Sequence, residues 1–378
     1  FDIRSDEDEA KKSAVRSEAL LTRAYAHFML VNLFAKHYDD RRSNADPGIP
    51  YVDEPETVFL KTYKRNTVQE VYDRIEEDML LGIDLVDDSF FANSGKYHFN
   101  RNAALAFASR FYLFKGEYDK CIEYSNMMLG ADPGAFVRDL TSDQFLNARS
   151  SIDGYSQLYT SPDLPSNILL MRKISLVQRP DFAHGPTTVL DRDIFAANPC
   201  PSTTDERENP ALVKGENGVF PLRYQSLFQR SSLNSNVGTP YHIHLAFRGE
   251  EVLLNRMESY VEQNRINEAV QDMQVLIDRR YSGPSIPLTI ELIREAFGVS
   301  GNPFVSDKFV MDIYVQLERR KEFIVQGLRW FDIKRFELEV EHNQLDGSII
   351  RLDENDRRKV LQIPASAIEV GELEPNPR

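Results

Sequence analysis

The feature that most constrains the fold is a helix–turn–helix pattern that occurs twice. Residues 103–130 read as two helices joined by a turn at Gly116, and residues 246–281 repeat the pattern with a turn at Asn264. Gly and Asn are the residues that best tolerate the left-handed conformation with which helices commonly end. The spacing therefore predicts two equivalent helix pairs, and hence a chain built from repeated helical units.

The second helix of each pair resembles that of a tetratricopeptide unit, with a hydrophobic residue two positions after the turn. These residues are Tyr118 and Ile266, and we expect both to be buried at equivalent places. Helix pairs cannot bury their apolar faces alone and so stack into superhelices. The predicted fold class is mostly α, a tetratricopeptide-like helical superhelix with a loop-rich, irregular second half packed on it.

Composition divides the chain between a helical scaffold at about 14–130 and 246–342 and a loop-rich insertion at about 131–245. The insertion holds ten of the nineteen prolines and ten aromatic residues, and its helical periodicity is poor. A loop region of this length inside a compact domain is usually functional or disordered, and the aromatic residues favour order. We interpret residues 1–378 as one domain.

Two short strands are predicted within or beside the insertion, at 168–171 and 242–245. Near the end of the chain, Asp346-Gly347 is a strong signal for a β-hairpin turn. The prediction is therefore a helical protein with a few short strands.

The charge balance argues against nucleic-acid binding, because a net charge of −14 is not offset by a large basic block. No apolar run approaches the roughly 20 residues of a membrane helix. The two cysteines, Cys121 and Cys200, cannot form a disulfide framework. These features fit a neutral or cationic ligand, or simply solubility.

The sequence gives little support to metal binding or catalysis. His242 and His244 would share one face of a strand, but no third ligand follows at suitable spacing. The acids of the 39–66 loop lack the spacing of an EF-hand. Gly-x-Ser-x-Gly, His-Glu-x-x-His and Walker motifs do not occur. We therefore predict no catalytic residue, no cofactor and no metal, and the protein is not predicted to be an enzyme.

Aromatic residues outside the helical stripes are the sharper signal for a binding site. A sugar presents an apolar C–H face and a hydroxyl edge, so sugar sites pair an aromatic platform with polar groups. Any one tyrosine could instead pack its own loop, but we expect one or two of the set to face a ligand. The candidate ligand-binding residues are Tyr38, Tyr51, Tyr155, Tyr159, Tyr224 and Tyr241.

A charged stretch near the end, residues 318–335, holds the only tryptophan, Trp330. We interpret it as two helices that meet at Gly327, with Trp330 largely buried and at least one of its arginines paired with a carboxylate away from solvent. Packed guanidinium groups can hold carboxylates in a fixed fork.

The order of several motifs resembles that of the SusD/RagB family of surface nutrient-binding lipoproteins. The 318–335 stretch is similar to the family's Glu-Arg-Arg-x-Glu…Gly-x-Arg-Trp-φ-Asp run. The other matching segments, in order, are Glu18–Tyr25, Gly48–Val52, Arg248–Glu258 and the ending Leu361–Pro377. Together these landmarks extend over most of the chain.

The resemblance implies a function and a location. A family member would capture an oligosaccharide, or less often a peptide, at the cell surface and deliver it to a SusC-like TonB-dependent transporter. It would be held at the outer membrane by an N-terminal lipid anchor, so we expect a signal peptide, a lipidated cysteine and a further helical segment to precede Phe1. The alternative is a helical-repeat scaffold or surface receptor that binds a peptide or protein rather than a glycan.

Overall fold

Helices dominate the structure, a computed structural model that describes residues 6–55, 57, 61–174, 186–208, 212–214, 218–344 and 346–378. Parts of the predicted 39–66 loop and of the insertion, including 175–185, lie outside the described residues. The helices are α1 (Asp6–Phe34), α2 (Val68–Leu85), α3 (Arg101–Lys115), α4 (Tyr118–Leu129), α5 (Asp143–Ala148), α6 (Ile152–Tyr159), α7 (Thr188–Phe195), α8 (Gly249–Glu262), α9 (Ile266–Ile277), α10 (Ile290–Ala296), α11 (Asp307–Glu322), α12 (Arg329–Arg335) and α13 (Ala365–Glu369). The predicted fold class, mostly α-helical, is confirmed.

The strands are short and lie mainly in the insertion. They are β1 (Asn167–Ile174), β2 (Thr204–Asp205), β3 (Leu212–Lys214), β4 (Val219–Pro221), β5 (Ser226–Arg230), β6 (Gly238–Arg248), β7 (Tyr281–Ser282), β8 (Val340–Asn343) and β9 (Ile349–Leu352). The strands predicted at 168–171 and 242–245 are confirmed as parts of β1 and β6. The hairpin predicted around Asp346-Gly347 is also confirmed, because β8 and β9 pair antiparallel on either side of it.

The chain forms two compact units. The first unit comprises residues 1–90, 111–117 and 327–378, and the second comprises residues 91–110 and 118–326. The interpretation of residues 1–378 as one domain stays a prediction.

In the first unit, the C-terminal end of α1 is capped by side chains from distant parts of the sequence. A helix leaves its last carbonyls without internal partners, and α1 has no basic residue in its last turn. Lys334 Nζ donates to the carbonyls of Asn32 at 2.5 Å and Ala35 at 2.6 Å. Asn376 Nδ2 donates to the carbonyl of Phe34 at 2.8 Å. The C-terminal motifs of the sequence thus complete its first helix.

Replacing Lys334 with methionine is expected to lower the free energy of unfolding by about 2 kcal/mol, because two buried carbonyls lose their donor. Lys36→Met is the matched control. Lys36 pairs with Asp46 at 2.7 Å, but its side chain is 55% exposed, so its loss should cost less than about 1 kcal/mol. Urea denaturation of both variants measures the difference, and equal costs would contradict the capping role.

The two turns of the repeat have the same backbone geometry. Gly116 has a φ of 77° and Asn264 a φ of 59°. After each turn residue, an N–H donates to the carbonyl five positions back: Glu117 to Tyr112 at 2.9 Å, and Arg265 to Tyr260 at 2.8 Å. This hydrogen bond defines a Schellman motif. The predicted equivalence of the two turns is confirmed.

The residue predicted to be buried in each pair is only partly covered. Tyr118 and Ile266 are both partly exposed, so the expectation of burial was wrong, although the two positions match each other. The buried positions lie one helical turn later, at Cys121 and Ala269, which are fully inaccessible. Cys121 Sγ, for example, lies 3.6 Å from the carbonyl of Asn255 on α8, so the following helical turn is the one that packs on a neighbouring helix.

In the second unit, α8 and α11 carry carboxylates that lie in a buried ion network. Glu322, at the end of α11, accepts from Arg280 Nε at 3.0 Å and from Arg280 Nη2 at 3.1 Å. Arg207 and Arg248 each lie 3.5 Å from it. Arg248 is the last residue of β6 and immediately precedes α8, so this network fixes the C-terminal end of β6.

The structure confirms part of what the 318–335 stretch predicted. Helices α11 and α12 are separate, and Gly327 between them has a φ of 84°. Arg319 lies 3.7 Å from Glu258, and both side chains are buried, as predicted for at least one arginine of the stretch. Trp330 is partly exposed, although its Nε1 is buried, so the expectation that it is largely buried stays a prediction.

Phe331 is more fully buried than its neighbour Trp330. It is 3% exposed, and its ring centroid lies 6.1 Å from that of Phe114, within the first unit. Successive residues of a helix point about 100° apart, so the helix can turn only one of these neighbouring aromatic side chains fully to the core.

Candidate functional site

A three-stranded antiparallel sheet in the second unit, with strand order β1-β6-β5, carries the candidate binding surface. Strand β6 pairs Leu245 with Leu170, Ile243 with Arg172 and Tyr241 with Ile174. Alternate residues point to the same side, so these residues share what we call the first face. Their exposure rises along the strands, from buried Leu170 to Ile174, which is 70% exposed. The sheet therefore has an inner end in the core and an outer end at the surface.

The outer end of the first face combines an aromatic ring with polar groups. Tyr241 is partly exposed, and the guanidinium carbon of Arg172 lies 3.7 Å from the centroid of its ring. Arg172 Nη2 also donates to Gln229 Oε1, on β5, at 2.7 Å. Both Arg172 and Gln229 are exposed. The arrangement offers a ring edge, hydrogen-bond donors and an amide in one small area.

The opposite side of the sheet, the second face, carries basic side chains and an exposed ring. Lys173 pairs with His242 across the strands, and His244 lies two positions further along β6. Burial lowers the pKa of His242, and the positive charge of Lys173 lowers it further. Phe228, opposite Pro240, is 47% exposed. Both faces of the outer end thus combine an aromatic ring with basic groups.

The β5–β6 loop is held in shape by its serines. Ser231 Oγ donates to Ser235 Oγ at 2.9 Å, and Ser235 Oγ donates to the carbonyl of Val237 at 3.1 Å. Leu233 at the tip is 94% exposed. These hydrogen bonds within the loop order it beside the outer end of the sheet.

The two predicted tyrosines of the first unit are buried and hydrogen-bonded. Tyr38 donates to Gln69 at 2.7 Å, and Tyr51 donates to Asp78 at 2.6 Å. The ring of Tyr51 also stacks on His27, with the centroids 3.9 Å apart. Protein contacts therefore account for both side chains.

Three of the predicted tyrosines of the second unit lie in one hydrophobic cluster with the inner end of the sheet. Tyr155, Tyr159 and Tyr224 are at most 8% exposed. Tyr224 donates to the carbonyl of Val325 at 2.5 Å, and the hydroxyl of Tyr159 accepts from Arg248 at 2.9 Å. A ligand role for these five buried tyrosines stays a prediction without support from their surroundings. Tyr241 is the predicted residue with an accessible ring.

Three cavities among the described residues do not combine an aromatic platform with room for a sugar. One of about 500 Å³ lies beside the C-terminal end of α1 in the first unit, and no Tyr, Phe or Trp is among its lining residues. One of about 390 Å³ in the second unit includes only Tyr281, which is buried. The space beside Tyr155 and Tyr159 measures about 10 Å³, enough for roughly one water molecule.

Two models of known protein families match the chain. A family model described as "Starch-binding associating with outer membrane" matches residues 2–113. A second model, described as the SusD family, matches residues 216–367. The two matches follow each other along the chain and together cover more than half of it. The chain belongs to the SusD family.

Solved structures share the fold of this SusD-family chain at low sequence identity. A protein from Bacteroides vulgatus that is described as sugar-binding is 20% identical, with a TM-score of 0.71 over 99% of this chain and 79% of its own. A SusD superfamily protein from Bacteroides thetaiotaomicron is 20% identical, with a TM-score of 0.63 over 99% and 80%. A SusD-like carbohydrate-binding protein from Bacteroides vulgatus is 15% identical, with a TM-score of 0.65 over 96% and 77%. Among curated proteins, none matches the chain.

Sequence reasoning about this SusD-family chain missed Arg172, Gln229 and Phe228. Arg172 and Phe228 lie in strands whose pairing is not encoded in any local motif. One signal was available: β1, β5 and β6 contain no Asp or Glu, although the chain as a whole is acidic. Read together with the predicted strands, that absence could have pointed to the sheet.

The histidines and loop acids considered as metal ligands in the sequence do not form a metal site among the described residues. His242 and His244 share one face as expected, with ring centroids 6.3 Å apart. In the part of the chain that the structure describes, no cluster of three or more His, Cys, Asp or Glu side chains could hold a metal ion. The loop acid Asp39 pairs with Arg41 at 3.0 Å, and Asp53 pairs with Arg74 at 3.0 Å.

No described helix is long and apolar enough to cross a bilayer.

Proposed function

We propose that this protein binds an oligosaccharide at the cell surface and delivers it to a SusC-like TonB-dependent transporter in the outer membrane. The observation that carries the proposal is membership of the SusD family, one of whose models is described as starch-binding and associated with the outer membrane. Two structural neighbours described as sugar- or carbohydrate-binding support the same class of ligand. The protein acts by binding and makes or breaks no bond.

The outer end of the three-stranded sheet is the proposed binding surface. Tyr241 supplies an aromatic ring, while Arg172 and Gln229 supply a donor fork and an amide beside it. Sugars are bound by this combination of an apolar platform and hydroxyl partners. The position of Tyr241 on a paired strand also holds the ring in place before binding, which reduces the entropy lost on association.

Replacing Tyr241 with alanine is expected to weaken glycan binding by about 1–3 kcal/mol, the scale of a lost aromatic contact. The melting temperature should change little, because the ring is partly exposed. Calorimetric titration of a glycan panel measures the affinity, and thermal unfolding measures the stability. Tyr124→Ala, at a partly exposed position of α4, is the matched control and should bind like the unmodified protein.

The competing function is that of a helical-repeat scaffold that binds a peptide or protein. The same titrations separate the two proposals. If no glycan of a broad panel binds the unmodified protein while a peptide library yields a ligand, the carbohydrate proposal fails. If glycans bind but Tyr241→Ala and Tyr124→Ala behave alike, the function stands and the surface is wrong.

A further inference from the structure

The sheet that carries the proposed surface has an unusual charge for this chain. The protein has a net charge of −14 and 59 Asp and Glu residues, yet not one acid lies between Glu216 and Glu250. That acid-free stretch contains β5, β6 and their connecting loop, and β1 is acid-free as well. Arg172, Lys173 and Arg230 lie on the outer parts of these strands. The outer part of the sheet is therefore a basic surface on an acidic protein.

Arg172 is positioned rather than neutralised. The ring of Tyr241 covers one side of its guanidinium, and Gln229 accepts one of its N–H groups. No carboxylate among the described residues pairs with Arg172 or Lys173. A guanidinium has five N–H donors in a planar fork, and this one is exposed, so donors remain for a ligand. The fork matches the two oxygens of a carboxylate or sulfate.

The charged groups that act most strongly on the second face are also positive. The pKa of Lys173 is lowered by burial and then by the positive charge of Arg110. The pKa of His244 lies well below its usual range, because of burial first and then because of Lys173, His242, Arg110 and Arg248. The largest charge effects on these two residues come from basic groups, although Arg110 and Arg248 are also paired with the buried Glu251 and Glu322. A negative ligand group would be attracted to this end of the sheet from either face.

We infer that the oligosaccharide bound at the outer end of the sheet is acidic, carrying carboxylate or sulfate groups, and that Arg172 binds one of those groups. The inference rests on the function proposed above and specifies its ligand. It replaces the sequence-based expectation of a neutral or cationic ligand, which used the net charge of the whole chain. The local charge of the sheet has the opposite sign.

Matched pairs of glycans test this inference. Oligogalacturonate is compared with the same oligosaccharide after reduction of its carboxylates, and a sulfated chondroitin oligosaccharide with its desulfated form. Affinities are measured by calorimetry in low and in moderate salt. The protein variants are Arg172→Gln, Arg172→Lys and, as a control with the same change of net charge, Arg265→Gln, which lies in the exposed α8–α9 turn and pairs with Glu268 at 2.9 Å.

The acidic member of at least one pair should bind about tenfold more tightly than its neutral partner, the scale of a charge-assisted hydrogen bond. That preference should shrink in higher salt, because exposed charges are screened. Arg172→Gln should abolish the preference, Arg172→Lys should retain part of it, and Arg265→Gln should leave it intact. The glycan pair whose acidic member binds more tightly shows whether the ligand group is a carboxylate or a sulfate.

Equal binding within both pairs, or a preference that survives Arg172→Gln, would overturn the inference. If neutral glycans bind and Tyr241→Ala weakens them, the proposed function stands while the acidic ligand is rejected. If no glycan of any kind binds, the proposed function and this inference fail together.

Discussion

Glu322→Gln is expected to lower the free energy of unfolding by about 3–5 kcal/mol, the cost of breaking a buried ion pair. Glu322 is 2% exposed and receives both hydrogen bonds of the Arg280 fork, at 3.0 and 3.1 Å. Arg207 and Arg248 also lie within 3.5 Å. Glutamine keeps the shape but removes the charge, so three buried guanidinium groups lose the carboxylate they share.

A surface pair in the same unit provides the control for Glu322→Gln. Glu262 pairs with Lys308 at 3.0 Å, and their side chains are 31% and 40% exposed. Water screens this pair, so Glu262→Gln should cost less than about 1 kcal/mol. Chemical denaturation of both variants gives the comparison. If both variants lose a similar amount of unfolding free energy, burial does not make the Glu322 network more stabilising than a surface ion pair.

The pH dependence of the same variant gives a second test. Burial raises the pKa of Glu322, but Arg280, Arg248 and Arg207 together lower it well below the usual value of 4.5. The folded state therefore binds a proton less readily than the unfolded state, and the charged carboxylate stabilises the fold above pH 4.5. This contribution is lost as the pH falls through the folded-state pKa. The difference in the free energy of unfolding between the unmodified protein and Glu322→Gln should therefore become smaller in acid. A difference that does not change with pH would contradict the assignment of this stabilisation to the charged carboxylate.

Phe331→Ala should also lower the free energy of unfolding by about 3–5 kcal/mol, because it leaves a cavity the size of a phenyl ring in the first unit. The ring is 3% exposed and packs edge-on against Phe114. Nearby, the guanidinium carbon of Arg335 lies 4.8 Å from the centroid of Phe114. The loss should therefore affect both the apolar contact and the position of that arginine.

Trp330→Ala is the natural control for Phe331→Ala, because the two aromatic residues are neighbours on α12. Trp330 is partly exposed, and its Nε1 has no hydrogen-bond partner among the described residues. Its removal should cost about 1–2 kcal/mol, within the range of ordinary substitutions. A larger cost for Trp330 than for Phe331, measured by urea denaturation, would restore the tryptophan as the core residue of the stretch.

The helical elements could be predicted because their signals are local. The turns at Gly116 and Asn264 follow from the few residues that accept a positive φ, and the hairpin at Asp346-Gly347 follows from the same preference. The strands at 168–171 and 242–245 were also recognisable from their short apolar runs. Family membership was recognisable too, since its motifs are contiguous in the sequence.

The candidate site could be predicted only in part. Tyr155, Tyr159 and Tyr224 were singled out because they lie outside long helical stripes, yet they form a core cluster with Leu170. A short helix or an irregular segment can bury a tyrosine as completely as a long helix does. Burial depends on what packs against the residue, and composition does not contain that information.

The sequence by itself determined the helical class, the repeated turns, parts of β1 and β6, the C-terminal hairpin and the family, because each depends on neighbouring residues or on a contiguous motif. The tertiary structure decided which aromatic and charged residues are accessible. Arg172 and Tyr241 are 69 positions apart, and strand pairing alone brings the guanidinium to 3.7 Å from the ring. In the same way, Lys334 finds the carbonyls of Asn32 and Ala35 only after α12 has packed near the end of α1. Contacts between residues so distant in the chain depend on packing, which no local pattern specifies.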